Sequence, residues 1–317
     1  MTPLGTGSTR PPHGTRAHRT RLHGTRPHRT RPHGPRLPRA RRAAAALTSA
    51  AALLGAGALS PTAPAPEAAT PYRYVALGDS FASTGSVVGM DPATFGSADT
   101  GSAGSCFRSA DTYPRRLAAS TDWAVTDVTC RGGRVSLMGT RTGVYGAAQL
   151  DAVTADADLV TVQVGGNDTD VLELARRCLT SVCTGLEPEW TAKVEAVRAP
   201  MLGLLREIRA RAPHARVVVV GYHQPFPEVP CLDVAPFSAA NQGFGRRHVD
   251  RLDAMLRDTA RQAGVEIVGD VTPPGHSACD PDRWTSFLGV DAGAVPLHPT
   301  AAGHAAYAGM IRGLVGR

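Results

Sequence analysis

Residues 72–83 read Tyr-Arg-Tyr-Val-Ala-Leu-Gly-Asp-Ser-Phe-Ala-Ser, and this stretch decides the fold. Its apolar run Tyr74–Leu77 is long enough for a buried strand. Gly78 ends the run, and Asp79-Ser80 follow where a strand would pass into a turn. Because α/β folds bind their ligands at the carboxyl ends of strands, Ser80 is a candidate site residue. Taken alone, the stretch is more typical of a strand end with a polar cap.

Four further short apolar runs predict strands, and segments with helical spacing separate them. The runs are Trp123–Thr129, Leu159–Val164, Arg216–Val220 and Val265–Val268. The predicted helices are Tyr113–Ala119, Val171–Arg177, Glu189–Ala210, Asn241–Ala263 and Thr300–Leu314, and residues 272–296 are predicted to be mostly loop. Strands that alternate with helices predict an α/β fold with a five-stranded, parallel, doubly wound sheet.

The first 65 residues differ in composition from the rest of the chain. Residues 1–42 contain eleven Arg, five His and no Asp or Glu, which predicts a disordered, basic, low-complexity segment. Residues 43–59 carry no charge and consist mostly of Ala and Leu, which is typical of the apolar part of a secretory signal. We therefore expect an export signal over residues 43–65, with cleavage near Ala63-Pro-Ala65.

Cleavage there would leave a mature chain that begins between about Ala58 and Thr70, with residues 66–71 as a linker and residues 72–317 as the folded domain. Eleven of the 34 Lys and Arg precede the linker and none of the 27 Asp and Glu does, so the net charge changes from +7 to about −4. The excess of positive charge that would suit a nucleic-acid-binding arm lies in the segment that cleavage removes. We therefore expect no nucleic-acid partner.

All six cysteines follow the predicted signal, and an even number in an exported chain predicts three disulfides. They are Cys106, Cys130, Cys178, Cys183, Cys231 and Cys279. Fifteen pairings are open from the sequence, of which neighbours in order are the simplest. No Cys-x-x-Cys occurs, so we expect no zinc site, and no other residue pattern predicts a metal or a cofactor.

Three polar stretches each follow a predicted strand: Gly78–Ser80, Cys130–Gly133 and Gly165–Asp168. The carboxyl ends of parallel strands share one edge of a sheet, so the three stretches can converge there. Hydrolysis of an ester by a serine needs a nucleophile, a base and donors for the oxyanion. Ser80 supplies a hydroxyl, and His298, just before the last helix, can serve as the base.

The two other stretches contain candidate donors for the oxyanion. Gly132 or Gly133 can bring a backbone N–H close, because a glycine has no Cβ to block the approach. Asn167 can direct its side-chain amide to the same oxygen. Alternatively, Asn167 caps a helix after an ordinary turn, and His298 is an ordinary loop histidine. The joint occurrence of these residues, each at the end of an element, favours a catalytic site.

These stretches together resemble the SGNH, or GDSL, hydrolases, over roughly Tyr72 to the C-terminus. The residues that carry the resemblance are Gly78-Asp-Ser-Phe81, the glycine after the second strand, Gly165-Gly-Asn-Asp168 and His298-Pro-Thr-Ala-Ala-Gly303. The chain looks most like the secreted actinobacterial lipases and esterases of this family. The resemblance implies a three-layer α/β/α fold, ester hydrolysis without a metal, and disulfides 106–130, 178–183 and 231–279.

Carried over by the resemblance, Ser80 is the nucleophile and His298 the base. The oxyanion hole would consist of the Ser80 N–H, the Gly132 N–H and the Asn167 side chain, since the family glycine usually lies two residues past the cysteine. The family usually places an Asp three residues before the histidine, but Val295 stands there. A main-chain carbonyl would then orient the histidine, and we expect that of Val295, with Pro296 as the alternative.

The resemblance implies a secreted, extracellular serine esterase or lipase that cleaves carboxylic acyl esters through an acyl-enzyme intermediate. A phospholipase A and a carbohydrate deacetylase use the same machinery, and the motifs do not separate them. A hypothesis outside the enzymes is a catalytically inactive secreted binding protein. The intact Ser80, Asn167 and His298 argue against this hypothesis. We expect a monomer with a small-molecule or lipid ester as substrate and no stable membrane anchor.

Overall fold

The computed structural model describes residues 70–86, 88–89, 106–140, 148–229, 231–287, 293 and 295–316. The predicted basic segment, the export signal and all of the linker but residues 70 and 71 lie outside these ranges. Asp291, the acidic residue nearest before His298 in the sequence, also lies outside them.

Five parallel strands form the main sheet, as predicted. They are β1 (Arg73–Gly78), β2 (Ala124–Asp127), β3 (Leu159–Gln163), β4 (Arg216–Val220) and β5 (Glu266–Val268). Their order across the sheet is β2-β1-β3-β4-β5, so the chain moves outward from β1 in both directions. Val75 of β1 pairs with Val160 of β3, and Val160 pairs with Val217 of β4. The central strands are buried, as expected for a sheet covered on both faces.

The described residues contain six α-helices. They are α1 (Ser80–Ser83), α2 (Tyr113–Ser120), α3 (Val171–Thr180), α4 (Glu187–Arg211), α5 (Ala239–Ala263) and α6 (Ala301–Val315). Each of the five longer helices agrees with a predicted one to within three residues at either end. Helix α1 is a single turn directly after β1, in a stretch predicted only as a turn.

Helices α4 and α5 cover one face of the sheet and pack against each other. The residues of α4 that face the core recur at helical spacing and are Val194, Val197, Met201, Leu204, Leu205 and Ile208. They meet Val75, Leu77, Val217 and Val219, the residues that point to this side of their strands. This spacing of apolar side chains explains why α4 forms where the sequence predicts it.

The opposite face of the sheet is covered by α2 and α6. The intervening strand residues, Tyr74 and Ala76 of β1 and Val218 and Val220 of β4, point to this side. They pack against Tyr113 and Leu117 of α2 and against Tyr307 and Ile311 of α6. The two clusters on opposite faces of one sheet make the three-layer α/β/α sandwich that the resemblance implied.

At the carboxyl edge of the sheet, the end of β1 is held closely by its neighbours. The Gly78 N–H donates to Gln149 Oε1 at 2.8 Å, and its carbonyl accepts from Gln149 Nε2 at 2.9 Å. A Cβ on Gly78 would lie 2.7 Å from the Cβ of Ala82 and 2.9 Å from the carbonyl oxygen of Gln163. A side chain at this position would therefore push α1 away from the sheet.

A second, two-stranded sheet lies in the segment that the sequence predicted as loop. Strand β6 (Thr285–Ser286) pairs antiparallel with β7 (His298–Pro299). The Leu297 N–H donates to the Ser286 carbonyl at 2.8 Å, and the Thr300 N–H donates to the Trp284 carbonyl at 2.8 Å. This pairing, which the sequence analysis did not predict, fixes the backbone on both sides of His298.

The three disulfides join Cys106 to Cys130, Cys178 to Cys183 and Cys231 to Cys279, in the sequential order that the resemblance implied. The first links the two loops next to the carboxyl ends of β1 and β2. The second closes the loop after α3, and the third ties the loop after β4 to the segment before β6. In the part of the chain that the structure describes, the helices are too short or too polar to cross a membrane.

Candidate active site

Ser80 is the first residue of α1, directly after β1, and its side chain lines a pocket at the carboxyl edge of the sheet. The turn is fixed by Asp79, whose Oδ1 accepts a hydrogen bond from the Phe81 N–H at 2.8 Å. Asp79 thus caps α1, and the cap holds the Ser80 backbone in one conformation. The sequence predicted a strand that ends in a turn here, and the turn exposes the hydroxyl to the pocket.

The Asp79 carboxyl is 2 % exposed and accepts a second hydrogen bond, from the Tyr222 hydroxyl to Oδ2 at 2.6 Å. Burial raises the pKa of Asp79 to about 7, although both hydrogen bonds act in the opposite direction. The sequence analysis gave no role to Asp79 or Tyr222. Tyr222 lies two residues past β4, at the same edge of the sheet as Ser80. Its position after a predicted strand was the sequence signal that could have indicated a role at this edge.

Asn167 begins a short 3₁₀ turn after β3 and lines the same pocket as Ser80. Its Nδ2 donates to the carbonyl oxygen of Gly133 at 3.0 Å. The amide nitrogen carries two protons, so this bond fixes the side chain and leaves the second N–H as a donor. The loop after β2 therefore orients the side chain that follows β3.

The loop after β2 contains the two predicted glycines. Gly132 has a positive φ of 72°, a conformation that favours glycine. The Gly133 N–H donates to the Cys130 carbonyl at 3.1 Å, so this N–H already has an acceptor. A Cβ on Gly133 would lie 3.1 Å from the carbonyl oxygen of Gly78, so the loop packs against the end of β1. Within the described ranges, neither glycine belongs to the pocket wall itself.

His298 lies on β7 and lines the same pocket as Ser80 and Asn167, with its ring 5.8 Å from that of Phe81. Its ring Nδ1 lies 2.8 Å from the carbonyl oxygen of Pro296. The expectation that the Val295 carbonyl orients the ring is therefore wrong. The Val295 carbonyl instead accepts the backbone N–H of His298 at 3.1 Å, in a four-residue turn.

The geometry of this turn explains why Pro296 supplies the carbonyl. Leu297, the third residue of the turn, has a positive φ of 62°, and the second residue is a proline. Both features are those of a type II turn, in which the first carbonyl is taken up by the turn's own hydrogen bond. The proline at the second position was a sequence signal that Val295 would be engaged in this way.

Burial lowers the pKa of His298, and the hydrogen bond to the Pro296 carbonyl acts in the opposite direction. A carbonyl accepts hydrogen bonds only, so Nδ1 carries the proton in the neutral ring. Nε2 is then the unprotonated nitrogen and can accept a proton.

The pocket is open to solvent, and its empty space, together with the solvent at its mouth, amounts to about 990 Å³. Ser80, Asn167 and His298 all line it, and most of the remaining wall is apolar. The apolar wall includes Val171, Leu174, Phe226, Phe237, Leu252 and Phe287. In the parts of the chain that the structure describes, no group of three or more His, Cys, Asp or Glu side chains could hold a metal ion.

A parallel α/β sandwich with a serine, an asparagine and a histidine on one apolar pocket is the arrangement of a serine hydrolase. The model of the GDSL-like lipase/acylhydrolase family matches residues 76–306. The chain belongs to this family and is a carboxylic ester hydrolase, as its resemblance implied.

Relatives with known names are similar to most of the chain. Lipase 2 of Streptomyces coelicolor is 34% identical over 263 residues, which cover 75% of this chain and 84% of the relative. A lipase of Streptomyces rimosus is 31% identical over 240 residues, which cover 73% and 81%.

Two solved structures share the fold. The extracellular lipase from Streptomyces rimosus has a TM-score of 0.65 and 27% identity, and the match covers 76% of this chain and 98% of that one. Phospholipase A1 from Streptomyces albidoflavus NA297 has a TM-score of 0.65 and 24% identity, with 77% and 99% covered. The second likeness shows the three-layer fold alone.

Proposed function

We propose that Ser80 and His298 form a catalytic dyad that cleaves carboxylic acyl esters through an acyl-enzyme intermediate. The observation that carries the proposal is the common pocket of Ser80, Asn167 and His298, with His298 Nδ1 held at 2.8 Å from the Pro296 carbonyl. With Nδ1 engaged in this hydrogen bond, Nε2 is the ring nitrogen left to take the Ser80 proton.

In the first half of the reaction, Ser80 Oγ attacks the ester carbonyl carbon while His298 Nε2 accepts the hydroxyl proton. The Ser80 N–H, the Gly132 N–H and the second N–H of Asn167 stabilise the oxyanion. Collapse of the intermediate breaks the ester C–O bond, and the departing alkoxide takes the proton from His298 and leaves as the alcohol. His298 then accepts a proton from water as the water oxygen attacks the acyl-enzyme, and collapse of this second intermediate frees the carboxylic acid and returns the proton to Ser80 Oγ. Gly132 is preferred to Gly133 because the Gly133 N–H already donates to Cys130.

Fluorophosphonate labelling tests the proposed nucleophile. Wild-type protein should be phosphonylated at Ser80, located by peptide mass spectrometry, and Ser80→Ala should take up no label. Labelling at another serine, or none in a protein that hydrolyses esters, would contradict the assignment.

The pH dependence of the base follows from its surroundings. The base must be neutral, and burial lowers the His298 pKa below its usual value near 6.5, so Nε2 is available throughout neutral pH. Activity that depends on this group should fall only as the pH drops through the lowered pKa. In an NMR titration, the imidazole signal that disappears in His298→Ala should have its midpoint below pH 6.5. A midpoint above 6.5 would indicate that a carboxylate stabilises the imidazolium.

The apolar wall of the pocket favours an ester with an alkyl chain over an acetate, and so a lipase or esterase over a carbohydrate deacetylase. Each methylene group that the wall removes from water contributes about 0.8 kcal/mol, which is about a fourfold change in kcat/KM. Against p-nitrophenyl esters of increasing chain length, kcat/KM should therefore rise from the acetate onward until the pocket is filled. A maximum at the acetate would favour the deacetylase.

Ala175, on the pocket side of α3, provides the matched test of this assignment. Ala175→Trp should lower kcat/KM for the longest good substrate at least tenfold and leave the acetate within about threefold. Arg176→Trp places the same bulk one residue further on, at a side chain that is 67% exposed, and should alter neither substrate much. Phospholipid substrates, with fatty-acid release as the measured signal, distinguish a phospholipase A from a lipase.

We further propose that the mature enzyme is secreted and acts as a monomer without a stable membrane anchor. Three disulfides in the described domain support an oxidising compartment. The uncharged run at residues 43–59 supports an export signal. N-terminal sequencing of secreted protein tests the cleavage, and light scattering tests the monomer. Material that begins with the basic segment of residues 1–42 would contradict the cleavage.

A further inference from the structure

One tyrosine connects the two turns that carry the proposed nucleophile and the proposed oxyanion amide. The Tyr222 hydroxyl donates to Asp79 Oδ2 at 2.6 Å and accepts a hydrogen bond from the Gly166 N–H at 2.9 Å. Asp79 directly precedes Ser80, and Gly166 directly precedes Asn167. One oxygen atom is thus bonded to the residue before each of the two site residues.

We propose that Tyr222 is a positioning residue that fixes the Ser80 turn relative to the Asn167 turn. The inference rests on the proposed function, in which the oxygen of the tetrahedral intermediate needs Ser80 and Asn167 at one defined separation. A displacement of about 1 Å at such a site can cost roughly 10²-fold in rate. The side chain of Tyr222 does not have to touch the substrate for this role.

The position of the Tyr222 ring is itself fixed on several sides. The side chain is 6 % exposed and packs edge-on against Phe81, with ring centroids 5.0 Å apart. Its backbone N–H donates to Asp253 Oδ1 at 2.9 Å. Because the tyrosine is held in this way, its hydroxyl can hold both hydrogen-bond partners in fixed positions.

Gly166 provides independent support for the inference. Its backbone is right-handed helical, with φ −59° and ψ −46°, so its conformation does not require glycine. However, a Cβ on Gly166 would lie 3.2 Å from Cε1 of Tyr222, and 3.3 Å from both Cζ and the hydroxyl oxygen. The absence of a side chain therefore allows the hydroxyl to reach the Gly166 N–H.

When Asp79 is ionised, each proton in this network has an acceptor. Burial and the neighbouring carboxylate raise the pKa of Tyr222 well above its usual value, so the hydroxyl keeps its proton and donates it to Asp79. The lone pairs of the same oxygen accept the Gly166 N–H. Removal of the hydroxyl would leave Asp79 Oδ2 and the Gly166 N–H without the partner that joins them, and the turns would be free to shift apart.

Tyr222→Phe is the direct test, and Tyr74→Phe is its matched control. The Tyr74 side chain is also buried, and its hydroxyl is hydrogen-bonded to Thr161 Oγ1 at 2.8 Å on the face of the sheet that α2 and α6 cover. Neither Tyr74 nor Thr161 lies on the Ser80 turn, on the Asn167 turn or next to Tyr222. Both variants lose one buried, hydrogen-bonded hydroxyl and keep the aromatic ring, so both should lower the melting temperature.

With a saturating soluble p-nitrophenyl ester, Tyr222→Phe should lower kcat about 10- to 100-fold and change KM less than about threefold. The rate of fluorophosphonate labelling of Ser80 should fall by a similar factor. Tyr74→Phe should keep kcat within about threefold of wild type. Equal losses in the two variants, or a Tyr222→Phe enzyme with wild-type kcat, would overturn the inference.

Gly166→Ala gives a second test, which also decides the matter if Tyr222→Phe does not fold. This variant keeps every polar atom and places its new methyl group against the tyrosine, and we expect a loss of kcat with KM little changed. A wild-type kcat for a folded Gly166→Ala enzyme would count against the inference. If wild-type protein is not labelled at Ser80, the proposed function fails instead, and the two failures are thereby distinguished.

Discussion

Ser80→Ala and His298→Ala should each lower kcat by about 10⁴- to 10⁶-fold, and the double variant should be no worse than the poorer single one. The two residues act as one unit, because the hydroxyl is a poor nucleophile without the base and the base has no proton to accept without the hydroxyl. Steady-state kinetics on a soluble p-nitrophenyl ester, with melting temperatures as the check on folding, measure this effect. Losses that multiply in the double variant would contradict a dyad.

Asp291→Asn is the control that separates a dyad from a triad. A carboxylate that orients the histidine costs about 10⁴-fold in kcat when it is neutralised. With His298 Nδ1 bonded to the Pro296 carbonyl at 2.8 Å, we expect Asp291→Asn to change kcat less than about threefold. A folded Asp291→Asn protein without turnover would make Asp291 the third catalytic member.

Asn167→Ala should lower kcat about 10²- to 10³-fold, with KM nearly unchanged. The lost N–H would interact with the oxyanion, which exists only in the transition state and the intermediate, so the loss falls on kcat. Kinetics on the same soluble ester measure the effect. Asn167→Asp should lower kcat at least as much, because it replaces the amide donor by a negatively charged carboxylate of the same shape.

Asp168→Asn is the matched control for the Asn167 variants. The Asp168 carboxylate accepts the Val135 N–H, at 3.0 Å and 3.1 Å to its two oxygens, and an asparagine keeps one of these acceptors. We expect kcat within about threefold of wild type. If Asn167→Ala reduces kcat no more than Asp168→Asn does, Asn167 is not an oxyanion donor.

The sheet could be predicted from the sequence because each strand is a short apolar run between breaks. The valines of β4 are buried on both faces, so the run is unbroken and its end at Val220 is clear. Ser80 and Asn167 directly follow two such runs, and the rule that strand ends share an edge was enough to bring them together.

His298 could not be placed in the same way. It lies on β7, which forms only two pairs with β6, and two residues carry no periodic signal. Its orienting carbonyl depends on a turn with Leu297 at a φ of 62°, a conformation that a leucine adopts only when the surrounding structure requires it. Tyr222 was missed for a related reason, since its role arises from contacts between three strand ends.

The pairing of β6 with β7 has a consequence for the order in which the enzyme is made. Ser80 leaves the ribosome long before β7 and α6. A nascent chain that ends before β7 carries the proposed nucleophile without its base, and it lacks the helix that completes one face of the sheet. Ester hydrolysis by the proposed dyad therefore begins only after β7 has been synthesised and has paired with β6.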